Sequence, residues 1–234
     1  MELFTGTSGF AYKEWKGAFY PGDIKNDQML PYYAARLRAC EINNSFYRVP
    51  AEKTLLQWRA QVPAEFRFIL KAPQRITHFT RLKEESRETL DYFLKVARSL
   101  GEQLGPVLLQ LPPNMKSDVA RLKNFLGYLP ADVRAAFEFR HASWFDETVF
   151  GVLRDAGAVL CVADTDEAQT PHVATNDAWG YLRLRRVAYQ PAELEAFAAF
   201  VRAQSWQQTY VFFKHEDAAT GPRLAQEFAA MFAG

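Results

Sequence analysis

Short apolar runs alternate with longer segments of helical period from one end of the chain to the other. The runs LFTGTS (3–8), ACEINN (39–44), RFILKA (67–72), PVLLQL (106–111), AAFEF (135–139), AVLCVAD (158–164), YLRLR (181–185) and TYVFFK (209–214) predict eight strands. Helical period is clearest in 86–101, 118–129, 191–203 and 221–234, and Pro191 ahead of Glu193 supplies helix-start chemistry. Eightfold strand-then-helix alternation without a linker predicts one (β/α)8 barrel, a single domain over 1–234. The polar stretch DTDEAQTPHVATND (164–177) breaks the rhythm, so an irregular loop is expected in place of the helix after the sixth strand.

The polar positions within these runs are the informative ones. In EINNSFYRVP (41–50), Glu41, Asn43 and Ser45 share one face while Cys40 and Ile42 share the other. In a barrel strand one face packs on helices and the other points to the axis, so these polar groups are expected to line the interior near the mouth. The same reading aims Arg183 and Arg185 inward, because Leu182 and Leu184 must meet the helices. Lys71, Gln110, Glu138, Arg140, Asp164 and Lys214 fall at the C-terminal ends of their strands, where barrel enzymes place their chemistry.

Composition adds one point. Aromatic residues make up 15% of the 234 residues, more than core volume demands, and such an excess lines ring-binding clefts or fills a heavy core. A formal net charge of +1 gives no global attraction to nucleic acid or membrane, so any such binding must be local. Cys40 and Cys161 lie in apolar runs without CxxC spacing, as suits reduced, outward-facing buried thiols, and no signal-like or membrane-spanning run occurs; the expected address is cytoplasmic.

Gathered at one mouth, Glu41, Glu138 and Asp164 would face Lys71, Arg140, Arg183, Arg185 and Lys214, a cationic surplus suited to a phosphate or carboxylate ligand. Glu41, Glu138, His141 and Asp164 are the candidate acid/base groups. The competing reading pairs each carboxylate with an arginine, Glu138 with Arg183, and makes His141 a carbonyl cap beside Trp144. Around the cations, Asn43, Phe46, Tyr47, Thr77, His78, Gln110 and Trp144 are candidate substrate contacts. Tyr12 and Trp15, in the aromatic loop GFAYKEWKGAFYP, form either a stacking platform or a rim-closing cluster.

No GxGxxG, GxxxxGK[ST] or GxSxG occurs, so no cofactor is expected. A divalent metal on Glu41, Glu138, His141 and Asp164 is the alternative, opposed by the cationic neighbours and by the lack of HxH or HExxH spacing.

TGTSGFAYKEWKGAFYP, EINNSFYRVP, the Lys71 strand with ITH (76–78), GPVLLQLPP (105–113) and EFRHASW (138–144) together resemble the successive blocks of the domain-of-unknown-function 72, or YecE-like, family. The resemblance runs through nearly the whole chain and implies a TIM-type barrel with no established activity. It also implies an Arg-x-His-Gly run on the seventh strand and Phe-Asn-Asn on the eighth. This chain keeps Arg183 but has Arg185 in place of the histidine, and Lys214-His215 in place of the asparagines. The expected function is an enzyme acting by acid/base chemistry on a small anionic substrate, phosphorylated or carboxylated, sugar-like molecules included. The alternatives are a single-stranded nucleic-acid-binding protein using the loop after strand one, and a non-catalytic ligand-binding protein.

Overall fold

A computed structural model describes residues 1–214 and 219–232. Eight parallel strands run β1 (Glu2–Ser8), β2 (Ala39–Ile42), β3 (Arg67–Leu70), β4 (Val107–Gln110), β5 (Ala135–Glu138), β6 (Val159–Asp164), β7 (Trp179–Leu184) and β8 (Gln208–Phe213). Their order, β3-β2-β1-β8-β7-β6-β5-β4, is a ring cut between β3 and β4. Isolated parallel bridges Phe68 to Leu104 and Lys71 to Leu108 cross that cut and nearly close the barrel. The fold is the (β/α)8 type that the alternation predicts.

Among the described residues the outer layer holds α1 (Asn26–Ala34), α2 (Glu52–Arg59), α3 (Arg87–Ala97), α4 (Val119–Leu126), α5 (Glu147–Asp155), α6 (Pro191–Arg202) and α7 (Thr220–Ala230). Asp118 and Asp146 begin α4 and α5 by accepting the backbone N–H of Arg121 and Thr148 at 2.9 and 2.8 Å. Pro191 opens α6 in the first turn, where its missing N–H costs nothing. No helix follows β6: residues 165–178 form the irregular loop expected from their polarity.

Strand parity sorts the side chains into two compartments. Cys40, Ile42, Phe68, Leu70, Leu109, Phe137, Leu182 and Leu184 join the layer between barrel and helices. Phe4, Ile69, Leu108, Ala136, Cys161, Tyr181, Tyr210 and Phe212 fill the interior. Cys161 therefore faces the axis, not the helices as expected, because Val159, Cys161 and Ala163 are the inward parity of β6. The same parity sends Asp164 outward rather than to the axis.

The N-terminal end of the barrel is plugged by aromatic rings. Phe4 and Tyr210 stack at 4.9 Å, Trp179 meets Tyr210 edge-on, and the guanidinium groups of Arg38 and Arg134 cover these rings. Polarity is left for the opposite end. The alternation predicted for 41–45 is interrupted: β2 stops at Ile42, and Asn43–Phe46 turns as a 3-10 helix. There the Ser45 hydroxyl bonds the carbonyls of Ile42 and Lys71 at 2.7 Å each, instead of facing the axis as a strand residue.

On the helix side of β7, Gly180 lets the Trp206 ring lie against the strand, and a Cβ there would come within 2.2 Å of that ring. Gly180→Ala is expected to destabilise the protein by about 1–3 kcal/mol through overpacking, read as a lower urea midpoint. An unchanged midpoint would show that Trp206 moves aside freely.

Candidate functional site

Burying a charge in a barrel is tolerable only when its partners are already in place. Arg183, carried inward by β7 and only 1% exposed, meets that condition with two carboxylates. Its Nη2 and Nε donate to Glu41 Oε1 and Oε2 at 2.6 and 2.9 Å, and Nη1 donates to Glu138 Oε2. Glu41 also accepts from the hydroxyls of Ser8 (2.8 Å) and Tyr181 (2.7 Å). Glu138 accepts from Gln110 Nε2 at 2.6 Å and Arg140 Nε at 3.1 Å, and Gln110 Oε1 accepts from Lys71 Nζ at 2.7 Å. Ser8, Glu41, Arg183, Glu138, Gln110 and Lys71 thus form one hydrogen-bonded chain drawn from six strands or their ends.

The protonation states follow. Burial alone would raise the Glu138 carboxyl, but Arg183, Arg140 and Arg185 override it and hold its pKa down to about 2. Glu41 is lowered in the same way, burial opposing and Arg183 prevailing. Burial, reinforced by Arg183, lowers Lys71 to about 8, and burial followed by Arg183 lowers Arg185. His78 is lowered by burial and then by Lys71, Arg140 and Arg81, so its ring is neutral at neutral pH. Two carboxylates are left facing four cations here: Lys71, Arg140, Arg183 and Arg185.

A cavity of about 470 Å³ opens beside this network. Glu138, Arg140 and Arg185 line one side, Phe139, Phe145 and Pro113 another, and Thr165–Thr170 closes the rest. That loop folds back on its own strand, with Thr170 N–H donating to the Ala163 carbonyl at 2.8 Å. Arg185, just past β7, has a buried Nε without a hydrogen-bond partner among the described residues. Such an orphan donor in a native interior asks for an acceptor.

The residues expected at one mouth divide among several places. Glu138, Arg140 and Arg185 share the large cavity, whereas Tyr12 and Asn43 line a separate cavity of about 210 Å³ with Ser8, Gly9 and Trp58. Glu41 is fully enclosed and lines neither cavity, so it anchors Arg183 rather than meeting a substrate. Asp164, expected beside it, is bound outside the barrel by Arg186 Nε (2.7 Å) and Gln169 Nε2 (3.0 Å). His141 caps a backbone N–H rather than the carbonyl considered for it: its Nδ1 accepts from the Ser143 N–H at 3.2 Å.

Trp144 is buried against Phe139, 4.5 Å between ring centroids, and its Nε1 donates to the Met115 carbonyl, so it is a core residue and not a ligand contact. Trp15 likewise lies buried among Tyr12, Phe19 and Tyr20, which makes the loop after β1 a rim-closing cluster rather than an open platform. Phe46 is buried under Lys71 Nζ (4.1 Å from its centroid) and the edge of His78, while the next ring, Tyr47, is 73% exposed. Lys214 follows β8 in its inward register and is half-buried; His215 lies outside the described residues. Among the described residues, no three His, Cys, Asp or Glu side chains are grouped as metal ligands.

Sequence reasoning missed Ser8 and Arg186. Inward parity on β1 marks Ser8, whereas no local pattern links Arg186 to Asp164 and Glu193, which it binds at 2.7 and 2.6 Å.

A family model described as "Protein of unknown function DUF72" matches residues 4–234. The chain belongs to the DUF72 family. Among curated relatives, UPF0759 protein YecE of Escherichia coli K12 is 31% identical over 151 residues, 61% of this chain and 55% of YecE. UPF0759 protein YunF of Bacillus subtilis is 26% identical over 185 residues, 74% of this chain and 64% of YunF. The matches thus span little more than half to just under two thirds of these relatives. The crystal structure of a DUF72 family protein from Thermotoga maritima superposes with a TM-score of 0.87 at 28% identity, covering 100% of both chains. A DUF72 family protein from Enterococcus faecalis shares the fold, with a TM-score of 0.80 at 20% identity over 97% of this chain and 95% of that one. These DUF72 relatives bring a fold and no named substrate.

Glu138 and Glu41, depressed below their ordinary value of 4.5, contribute stability that is present above about pH 4.5 and lost as pH falls toward 2. Urea unfolding free energies should drop across that window. Arg183→Leu should cost about 3–5 kcal/mol at pH 7 and reverse the slope, because carboxyls buried without the guanidinium fold better protonated. An unaltered acid slope in that variant would refute the assignment.

Proposed function

We propose that this DUF72 protein is an enzyme whose substrate is a small anionic molecule, phosphorylated or carboxylated, seated in the cavity beside Glu138. The observation that carries this reading is the buried, unpartnered Nε of Arg185 at the cavity wall. Arg183 is consumed by Glu41 and Glu138, so the anion falls to Arg185 and Arg140. Planar guanidinium groups suit carboxylate or phosphate oxygens, and an arriving anion would supply the acceptor that Arg185 lacks. Phe139, Phe145 and Pro113 give the remainder of the ligand an apolar wall. Acid/base chemistry at this mouth belongs to groups that titrate near neutrality. Glu138, held near 2, is a poor proton acceptor, whereas Lys71, lowered to about 8, is better matched to the task.

Calorimetric titration with inorganic phosphate and with citrate tests this. Arg185→Ala should weaken binding about 10- to 100-fold, the loss of one charge-assisted hydrogen-bonding group, with thermal stability retained. Equal affinity in the variant, or no binding by the unmodified protein, would end the reading.

A second reading, single-stranded nucleic acid, is supported not by the loop after β1 but by Tyr47, a candidate contact already, together with Phe79. Tyr47 (73% exposed) and Phe79 (70%) stand on the loops after β2 and β3, beside exposed Arg48 and Arg75. A labelled oligothymidylate should then bind with an affinity that falls steeply with salt and drops about tenfold or more in Tyr47→Ala. Absence of binding at low salt would remove this reading.

A further inference from the structure

Lys71 is unusual among the lysines of this chain. It follows β3 in the inward register, is 9% exposed, and has its ammonium group within the polar chain across the barrel. Among the described residues no carboxylate pairs with it. Its hydrogen-bond acceptor is the neutral amide oxygen of Gln110, and its other neighbour is the face of Phe46, 4.1 Å from Nζ to the ring centroid. Gln110 is held in turn by Glu138, which fixes the amide so that its oxygen, not its nitrogen, meets the lysine. Through Gln110 and Glu138, Lys71 is two hydrogen bonds from the wall of the cavity of about 470 Å³.

We propose that Lys71 is a nucleophilic amine that condenses with the carbonyl carbon of a small anionic aldehyde or keto acid to form an imine. This rests on the anion-binding reading above: a substrate whose anionic end is held in that cavity would have to reach past Glu138 and Gln110 to the amine, which lies behind the cavity wall and does not line it. In the first step the Nζ lone pair forms the C–N bond while the C=O π pair moves to oxygen. A proton passes from nitrogen to that oxygen, giving a carbinolamine. The hydroxyl then takes up a second proton, the C–O bond breaks with water as the leaving group as the nitrogen pair closes the C=N bond, and loss of the remaining N–H proton restores the one consumed and leaves the neutral imine. Nothing is oxidised or reduced, and no further reactant is consumed.

The surroundings favour each step. A lysine becomes nucleophilic at neutral pH when it is desolvated or set beside another cation, and both conditions hold. Around Lys71 the charged groups are Arg183 from β7, Glu41 from β2, and Glu138 and Arg140 at the end of β5. His78 packs against the same Phe46 ring as Lys71 Nζ, and in this proposal it carries the proton between nitrogen and oxygen. Burial and Arg183 together leave about half of the amine unprotonated near pH 8. The anionic end of the substrate would lie toward Arg140, which shares Glu138 with Gln110.

Reductive trapping decides it. The full chain is incubated with glyoxylate and sodium cyanoborohydride at pH 7.5, and the modified lysines are mapped by peptide mass spectrometry. Lys71 should be alkylated about tenfold or more faster than the exposed Lys83 and Lys95, with a rate that rises through pH 8 rather than pH 10. Labelling of Lys71 no faster than those lysines, or a pH profile like theirs, overturns the proposal. Acetaldehyde separates it from the anion reading. If Lys71 reacts preferentially with acetaldehyde but shows no preference for glyoxylate, and Arg185→Ala changes neither rate, the amine stands and the anion site fails. If Arg185→Ala abolishes phosphate binding while Lys71 stays as inert as Lys83, the anion site stands and the amine fails. Lys71→Arg keeps the charge and should remove the fast phase of total incorporation; a fast phase that survives this substitution also overturns the proposal.

Discussion

One guanidinium holds the upper half of this barrel together. Arg183 reaches from β7 to carboxylates on β2 and β5, so three strands that are not neighbours in the sheet order are tied across the axis. Three buried charges are costly to desolvate, and they persist because nearly every hydrogen-bonding position around them is filled by Ser8, Tyr181, Gln110 and Arg140. The arrangement also fixes register. A slip of one residue on β2, β5 or β7 would turn a charged side chain into the apolar layer under the helices, a penalty no neighbouring group could offset.

This tie separates structural charge from available charge. With Arg183 spent on Glu41 and Glu138, and Asp164 on Arg186, the cations left at the mouth are those with weak or neutral partners: Arg185 facing the cavity, Lys71 on an amide, and Arg140 sharing a carboxylate already claimed by others. The aromatic rings of Phe4, Trp179 and Tyr210 fill the other end of the barrel. The loop 165–170, tied back to β6 by Gln169 on Asp164, walls the cavity beside Glu138.

The sequence made the barrel legible because strand parity and eightfold alternation are local, repeated signals. Glu41, Gln110, Glu138 and Arg183 could be aimed at the axis by the same rule, since each sits one step from an apolar residue that must face a helix. The rule failed where the strand ended sooner than the alternation did. Ser45 lies in a 3-10 turn, and Asp164 keeps outward parity although its position at a strand end looked like a site. Helices α1, α2 and α5 were not picked out: α1 carries Pro31 within it, and α2 is short with Leu55 as its buried residue. Pairing of each carboxylate with an arginine, Glu138 with Arg183, was one of two readings left open by the sequence, and the structure bears it out; local pattern could not choose between them, because the pairings join residues as far apart as Arg183 and Glu41, 142 positions.

The seam between β3 and β4 gives the barrel an uneven mechanics. Elsewhere successive residues pair along the strands, but here the ring is joined by separate bridges, with Ala72 N–H reaching the Leu108 carbonyl and Gly105 N–H the Phe68 carbonyl, each at 2.8 Å. A closed sheet breathes first where fewest ladder bonds resist it. Lys71 and Gln110 stand on opposite lips of that gap, so a small parting of the wall would loosen their contact and widen the approach to the amine while the Arg183 tie keeps the remaining strands in place.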